Sequence, residues 1–120
     1  MLRIEICSAD DAAVLFCSGA LVLGVETETL RTIAQSRQEE SLRIDLSGVD
    51  KIDASGLGLL VELQLWAREN RRELGFVELS EDVWRMVILT KLYAALDISY
   101  SDLPANIHCS AELDRSEMIA

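Results

Sequence analysis

The sequence predicts an α/β domain, a mixed β-sheet of four to five strands with α-helices packed mainly on one side. Three observations predict it. Apolar residues alternate with polar ones at the N-terminus with a period of two, the signature of half-buried strands. From Thr27 onward, helical stretches alternate with short apolar runs, which lays strands side by side under helices. Half of the 120 residues are hydrophobic, enough for one core and too many for a disordered chain.

The elements follow in order. Leu2, Ile4 and Ile6 alternate with Arg3, Glu5 and Cys7 as the first strand. Ser8–Asp11 reads as a turn, and Ala13–Ser18 as a second strand folded back on the first. Gly19 is expected to break that strand, with Ala20–Leu23 as a bent extension before Gly24. Thr27 is the expected cap of a helix running to about Gln38, with Leu30, Ile33 and Ala34 on its apolar face. Leu42–Leu46 is the third strand. The next helix is expected from Ser55 to Arg72. Its stripes, Leu57/Leu60/Val61/Leu65 and Leu59/Leu63/Trp66, are more than one sheet face needs, so it is read as wedged between the sheet and its neighbouring helices, with a partner or dimer surface as the alternative. Arg68, Arg71 and Arg72 suit its negative dipole end. Phe76–Leu79 is the fourth strand. Ser80 is the expected cap of a third helix through Val83, Val87, Ile88 and Leu92, with Lys91 near its end. Ile98–Tyr100 is a weak last strand. The domain is placed at residues 1–103, with 104–120 as a C-terminal tail or short helix that includes Ala111–Met118.

Composition narrows the function. The formal net charge of −10 makes nucleic acid and anionic bilayer surfaces poor partners and favours a protein partner with basic patches. The apolar run Ala12–Gly24 is too short to span a bilayer and follows two aspartates, so it reads as core strand. Cys7, Cys17 and Cys109 show no CxxC spacing. Cys7 and Cys17 read as small buried thiols, and a reducing cytoplasm fits all three.

The chemistry candidates are few. Ser55-Gly56 opens an apolar helix directly after a strand. Ser55 there reads as a plain N-cap, or as a phosphoacceptor or docking loop whose phosphate would meet the positive dipole end. Gly56-Leu57-Gly58 lacks the spacing and the lysine of a phosphate-binding loop. Asp10, Asp11, Asp45 and Lys91 superficially suit a Mg²⁺-dependent receiver domain, but a strand follows Asp11 where a helix is required. His108 has no partner for catalysis and reads as a surface residue. No catalytic residue, metal site or cofactor is expected.

The run Leu42-Arg43-Ile44-Asp45-Leu46-Ser47-Gly48-Val49, then Ile52-Asp53-Ala54-Ser55-Gly56-Leu57-Gly58, resembles the STAS domain family of sulphate-transporter tails and anti-sigma factor antagonists. The resemblance extends to Val83-Trp84-Arg85-Met86 and Leu92–Ile98, and covers about Ile4–Tyr100. It implies a non-catalytic, protein-binding regulatory module of transcription in a bacterial cytoplasm. Its partner would be a partner-switching serine kinase that is also an anti-sigma factor. In that group the kinase phosphorylates a Ser or Thr directly after the motif Asp, and the added charge breaks the complex.

Here Ala54 follows Asp53 and has no hydroxyl. The resemblance therefore gives Asp53, Ala54, Ser55, Gly56, Leu57 and Gly58 as a partner-binding surface, without the usual phosphoswitch. A displaced acceptor at Ser55 is the weaker option. The runner-up is a STAS subunit of a phospholipid-transport ABC complex, bound permanently to its ATPase, for which Thr90-Lys91-Leu92-Tyr93 is the suggestive region. The sequence leaves dimerisation and nucleotide binding open.

Overall fold

The computed structural model describes residues 1–99 and the strand 108–114. The element order is β1 (Leu2–Ala9), β2 (Ala12–Leu21), α1 (Val25–Ser36), β3 (Ser41–Ile52), α2 (Ala54–Glu69), β4 (Glu73–Val77), α3 (Glu81–Thr90), a 3-10 turn (Leu92–Ala94), β5 (Ile98–Ser99) and β6 (His108–Asp114). Among the described residues the sheet runs β5-β4-β3-β2-β1-β6. β1 pairs antiparallel with β2 and β6, whereas β2–β3, β3–β4 and β4–β5 are parallel. The mixed sheet is as expected, with β6 as a sixth strand. The segment expected as tail or short helix thus contributes a strand at its described residues. Residues 115–118 of that expected helix, and Tyr100 of the last strand, lie outside the described residues.

Each parallel pair is joined by one helix, and all three steps cross the sheet in the same direction. Right-handed crossovers then put all three helices on one face. The burial agrees. Leu30 and Ile33 of α1, Leu57, Leu60 and Leu63 of α2, and Val83 and Val87 of α3 share one apolar cluster with Ile4, Leu15, Ile44 and Phe76 of the strands. The buried residues Cys7, Val14 and Val77 stand outside that cluster. They occupy the alternate positions of their strands, on the other face.

Several boundaries differ from the expectation for tertiary reasons. β2 does not stop at Gly19. It runs on to Leu21, with register shifts between Phe16 and Ser18 and between Gly19 and Ala20. Gly19 adopts φ +99°, and a Cβ there would lie 2.0 Å from the Met1 carbonyl oxygen, which also accepts from the Ala20 amide at 2.9 Å. The glycine thus lets the chain start close over the strand. β3 is longer than Leu42–Leu46, because the bulged half of β2 pairs with Gly48–Ile52 and keeps it extended. β4 starts earlier, at Glu73.

The helix starts also differ in part. α1 begins at Val25 with Gly24 as its cap, so Thr27 is not the cap. Its hydroxyl donates back to the Gly24 carbonyl at 3.0 Å. Ser80 caps α3 as expected, accepting from the Val83 amide at 3.2 Å, while its hydroxyl donates to the Val49 carbonyl at 2.6 Å. That second bond ties the start of α3 to β3. The wedge reading of α2 holds for Leu57, Leu59, Leu60 and Leu63, which are buried, but Leu65 is 49% exposed. Gln64 clips α2 in place, donating to the Leu74 carbonyl and accepting from the Asp97 amide, each at 2.9 Å. The thiol reading of the cysteines is corrected at one position: Cys7 is disulfide-bonded, and Cys17 is the free, buried cysteine among the described residues.

Candidate functional site

The start of α2 follows β3 after a single residue, Asp53. Its backbone is extended, and its carboxylate caps the helix by accepting from the Gly56 amide at 2.9 Å. The expected cap, Ser55, does not perform this task. It is a half-buried residue inside the first turn. The reason is position: a cap must stand in extended backbone just before the first helical residue, and here that residue is Ala54.

The second Asp53 oxygen accepts from the Leu23 amide at 2.9 Å, thirty residues away in sequence. One carboxylate therefore joins the β2–α1 connection to the α2 start. Desolvation pushes its pKa up, but amide hydrogen bonds from Leu23, Gly56 and Ser55 outweigh that and hold it below the usual carboxylate value. The charge at this helix end is thus supplied by the chain itself. An incoming phosphoryl group would share the dipole with Asp53 and meet its negative charge.

The structure divides the six candidate residues. Ala54 and Gly58 face solvent, Asp53 and Ser55 are half-buried, and Gly56 and Leu57 are buried. Gly56 is packed so tightly that a Cβ would lie 2.3 Å from the Leu21 carbonyl oxygen and 2.9 Å from Ile52 Cγ1. Around Gly58 a Cβ would meet nothing within 4 Å. Gly56 and Leu57 thus anchor the helix start, while Ala54 and Gly58, one turn apart, present small residues to the outside.

Beside them stand two residues that sequence reasoning missed. Leu23 is 74% exposed and Val25 is 40% exposed, on the connection that Asp53 holds. The sequence signal was an apolar residue on each side of Gly24, at a chain reversal where apolar side chains have no strand to cover them. The rim continues into a groove of about 500 Å³ lined by Gly58, Val61, Leu65 and Trp66 of α2 and Gln35 of α1. Glu62 and Glu69 border the groove. Glu62 also binds Arg31 of α1 at 2.6 Å.

The receiver set is not brought together. Asp10 and Asp11 form the β1–β2 turn, where the Asp11 carbonyl accepts from the Ser41 amide at 3.0 Å, at the far end of β3 from the α2 start. Asp45 is buried within β3, accepting from the Ser47 amide at 2.9 Å and the Ser47 hydroxyl at 2.6 Å. Lys91 is the left-handed C-cap of α3. Among the described residues no group of three acidic, histidine or cysteine side chains is placed to hold a metal ion. Nor is any described helix long and apolar enough to cross a membrane. His108 lies in β6.

Solved structures share this architecture. A candidate anti-sigma factor antagonist of Thermotoga maritima is 20% identical, with a TM-score of 0.72 over 83% of this chain and 87% of that one. An anti-sigma factor antagonist of Mycobacterium paratuberculosis is 22% identical, with a TM-score of 0.66 over 86% and 88%. The unphosphorylated anti-sigma factor antagonist SpoIIAA is 14% identical, with a TM-score of 0.63 over 84% and 88%. At these identities the likeness is one of fold. The family model described as "Mlab, STAS domain" matches residues 7–97, a span that holds β2, β3 and β4, all three helices and the Asp53 cap, and the chain belongs to that STAS family.

Proposed function

We propose that the chain is a non-catalytic regulatory module that acts by binding, in the manner of an anti-sigma factor antagonist, and docks a partner-switching serine kinase/anti-sigma factor. The observation that carries this reading is the exposed rim of Leu23, Val25, Ala54 and Gly58, fixed in place by the two-oxygen clamp of Asp53. Small and apolar residues at a fixed helix start favour close approach by another protein. The names of the similar structures, anti-sigma factor antagonists, support an anti-sigma factor as the partner, and the net charge of −10 asks for basic groups around the partner's apolar contact.

Ala54 bears a methyl group where the resemblance has the acceptor hydroxyl. Docking is then governed from the partner's side, and Ser55 is a poor substitute acceptor because it is half-buried beside the Asp53 charge. The setting is the cytoplasm, no cofactor takes part, and a homodimer through the same rim is the competing use of this surface.

Titration of the purified chain against its candidate kinase tests the reading. Ala54→Glu is expected to weaken binding about tenfold or more, through like charge and bulk at the rim. Unchanged affinity would move docking elsewhere. Incubation with the kinase and ATP should add no phosphate by intact mass, whereas phosphate on Ser55 would restore a displaced switch.

A second reading, a STAS subunit bound to the ATPase of a phospholipid-transport ABC complex, is favoured by the "Mlab" description of the family. It is also favoured by the apolar surface at the end of α3, where Leu89 is 71% and Tyr93 53% exposed. Leu89→Asp then abolishes ATPase binding while Ala54→Glu leaves it intact. The anti-sigma reading expects the reverse.

A further inference from the structure

α2 carries more apolar surface than the core takes up. Leu57, Leu59, Leu60 and Leu63 are buried, whereas Val61 and Trp66 are half-buried and Leu65 is 49% exposed. These last three line the groove of about 500 Å³ that α2 shares with Gln35 of α1. The floor of the groove is held in place by the chain itself. Val61 and Trp66 pack against the core, and the Arg72 guanidinium lies 5.4 Å from the Trp66 ring centroid. Across the seam, Arg31 of α1 donates to both carboxylate oxygens of Glu62, at 2.6 and 3.2 Å, which fixes the spacing of the two helices. A seat formed in advance need not be ordered when an occupant arrives.

Three features point to the occupant. Along α2 the groove runs from Gly58 to Glu69, about 16 Å or three turns of helix. Both of its walls are helices, whose backbone groups bond internally. An extended segment would lay unpaired N–H and C=O groups on apolar side chains, whereas a third helix brings its own already paired. The border is acidic: Glu62 and Glu69 stand on it, and among the described residues no cationic side chain lines it. Arg31 is shared between Glu62 and Glu28, so one of those two carboxylate charges stays uncompensated. A second copy of the chain would set the same acids against each other, with a charge of −10 on each side.

We propose that this groove seats an amphipathic helix of the docking partner, with an apolar stripe over Val61, Leu65 and Trp66 and lysines or arginines along its flanks. The inference rests on the docking reading for the protein that brings the helix, and it names the element that protein uses beyond the rim. Contact with Trp66 and Leu65 supplies affinity, and Glu62 and Glu69 select basic flanks.

The probe is a synthetic helical peptide of about 14 residues, with leucines in one i, i+3, i+4, i+7 stripe and lysines elsewhere, beside a counterpart with glutamate for lysine. Binding is followed through the amide resonances of the isotope-labelled full chain. The lysine peptide should shift Gln35 and residues 58–69, and the glutamate peptide should bind at least tenfold more weakly. Leu65→Glu should weaken the lysine peptide at least tenfold although it adds a negative charge, a change that diffuse attraction to an acidic surface would turn into tighter binding. Glu69→Lys should weaken it about threefold or more. Equal or tighter binding to Leu65→Glu, or shifts scattered away from the groove, would overturn the seat. A dimeric parent chain that Leu65→Glu converts to monomer would give the groove to a second copy. Titration with the candidate kinase separates this inference from the docking reading, and Leu65→Glu and Ala54→Glu should each weaken that complex. Weakening by Ala54→Glu alone overturns the groove helix and leaves the rim. Weakening by Leu65→Glu alone keeps the groove helix and removes the rim, and weakening by neither overturns both.

Discussion

Asp53 satisfies one backbone donor with each of its carboxylate oxygens, the Gly56 amide of its own helix and the Leu23 amide of a distant connection. Its replacement is therefore both a capping change and a tertiary one. Asp53→Ala is expected to cost about 1–2 kcal/mol in denaturant unfolding, of which the cap accounts for roughly half or more. It should also raise amide exchange at Leu23. Because the folded-state pKa is depressed, the contribution of the charged form is fully present above the unfolded value of about 3.9 and is lost as pH falls through the folded one. Asp53→Asn keeps a capping oxygen but removes this titration. The stability gap between parent and variant should close as the pH is lowered through that window. A gap that stays constant into the acid range would mean that the Asp53 charge contributes nothing. Asp45, by contrast, is spent on Ser47 of its own strand and lies away from the rim.

At the scale of the element, α2 carries two glycines two residues apart with opposite consequences. Gly56 has no room, since an added Cβ would press on the Leu21 backbone oxygen, and neither backbone can give way cheaply. Gly56→Ala is expected to destabilise by about 2–3 kcal/mol. Gly58 has open space, so Gly58→Ala should stabilise the helix by about 0.5–1 kcal/mol through propensity alone. If the rim is the docking surface, the same substitution weakens partner binding. Thermal unfolding and a binding titration on the two variants separate these effects, and an unchanged affinity for Gly58→Ala would place the partner off this face. The other fastening of α2, the Gln64 clip to Leu74 and Asp97, holds the opposite end of the helix while the rim end remains free to meet a visitor.

At the scale of the whole molecule, the charge of −10 sets how a partner arrives. Association with a basic partner should be fast at low ionic strength, and raising the salt to several Debye lengths of screening should lower the association rate about tenfold with little change in dissociation. A salt-independent rate would mean that the acidic surface takes no part. The fold class was legible because apolar periodicity is a local property. Leu2–Ile6 had to be a half-buried strand, Leu42–Leu46 an apolar strand, and Ser80 with its following acids a helix start, whatever surrounded them. The motif Ile52–Gly58 likewise marked the place of the rim, and the departure at Ala54 needed only the letter itself. Contacts between distant segments were another matter. The α2 cap fell to Asp53 because the helix starts one residue before Ser55. The extension of β2 and β3 past their glycines depends on pairing between segments far apart in the chain, and the Leu23 connection is held by the distant Asp53 carboxylate. The sixth strand depends on such pairing too, since His108–Asp114 has a weak pattern of its own and becomes β-structure by pairing with β1. The sequence by itself determined the first four strands and the three helices in outline, though not the strand at His108–Asp114, and that the start of α2 carried a methyl group. Only the tertiary structure decided which apolar side chains were left to face solvent and which distant groups tied the helix starts to the sheet and its connections. Hydrogen-bond partners and cover come from residues far along the chain, and no local periodicity encodes them.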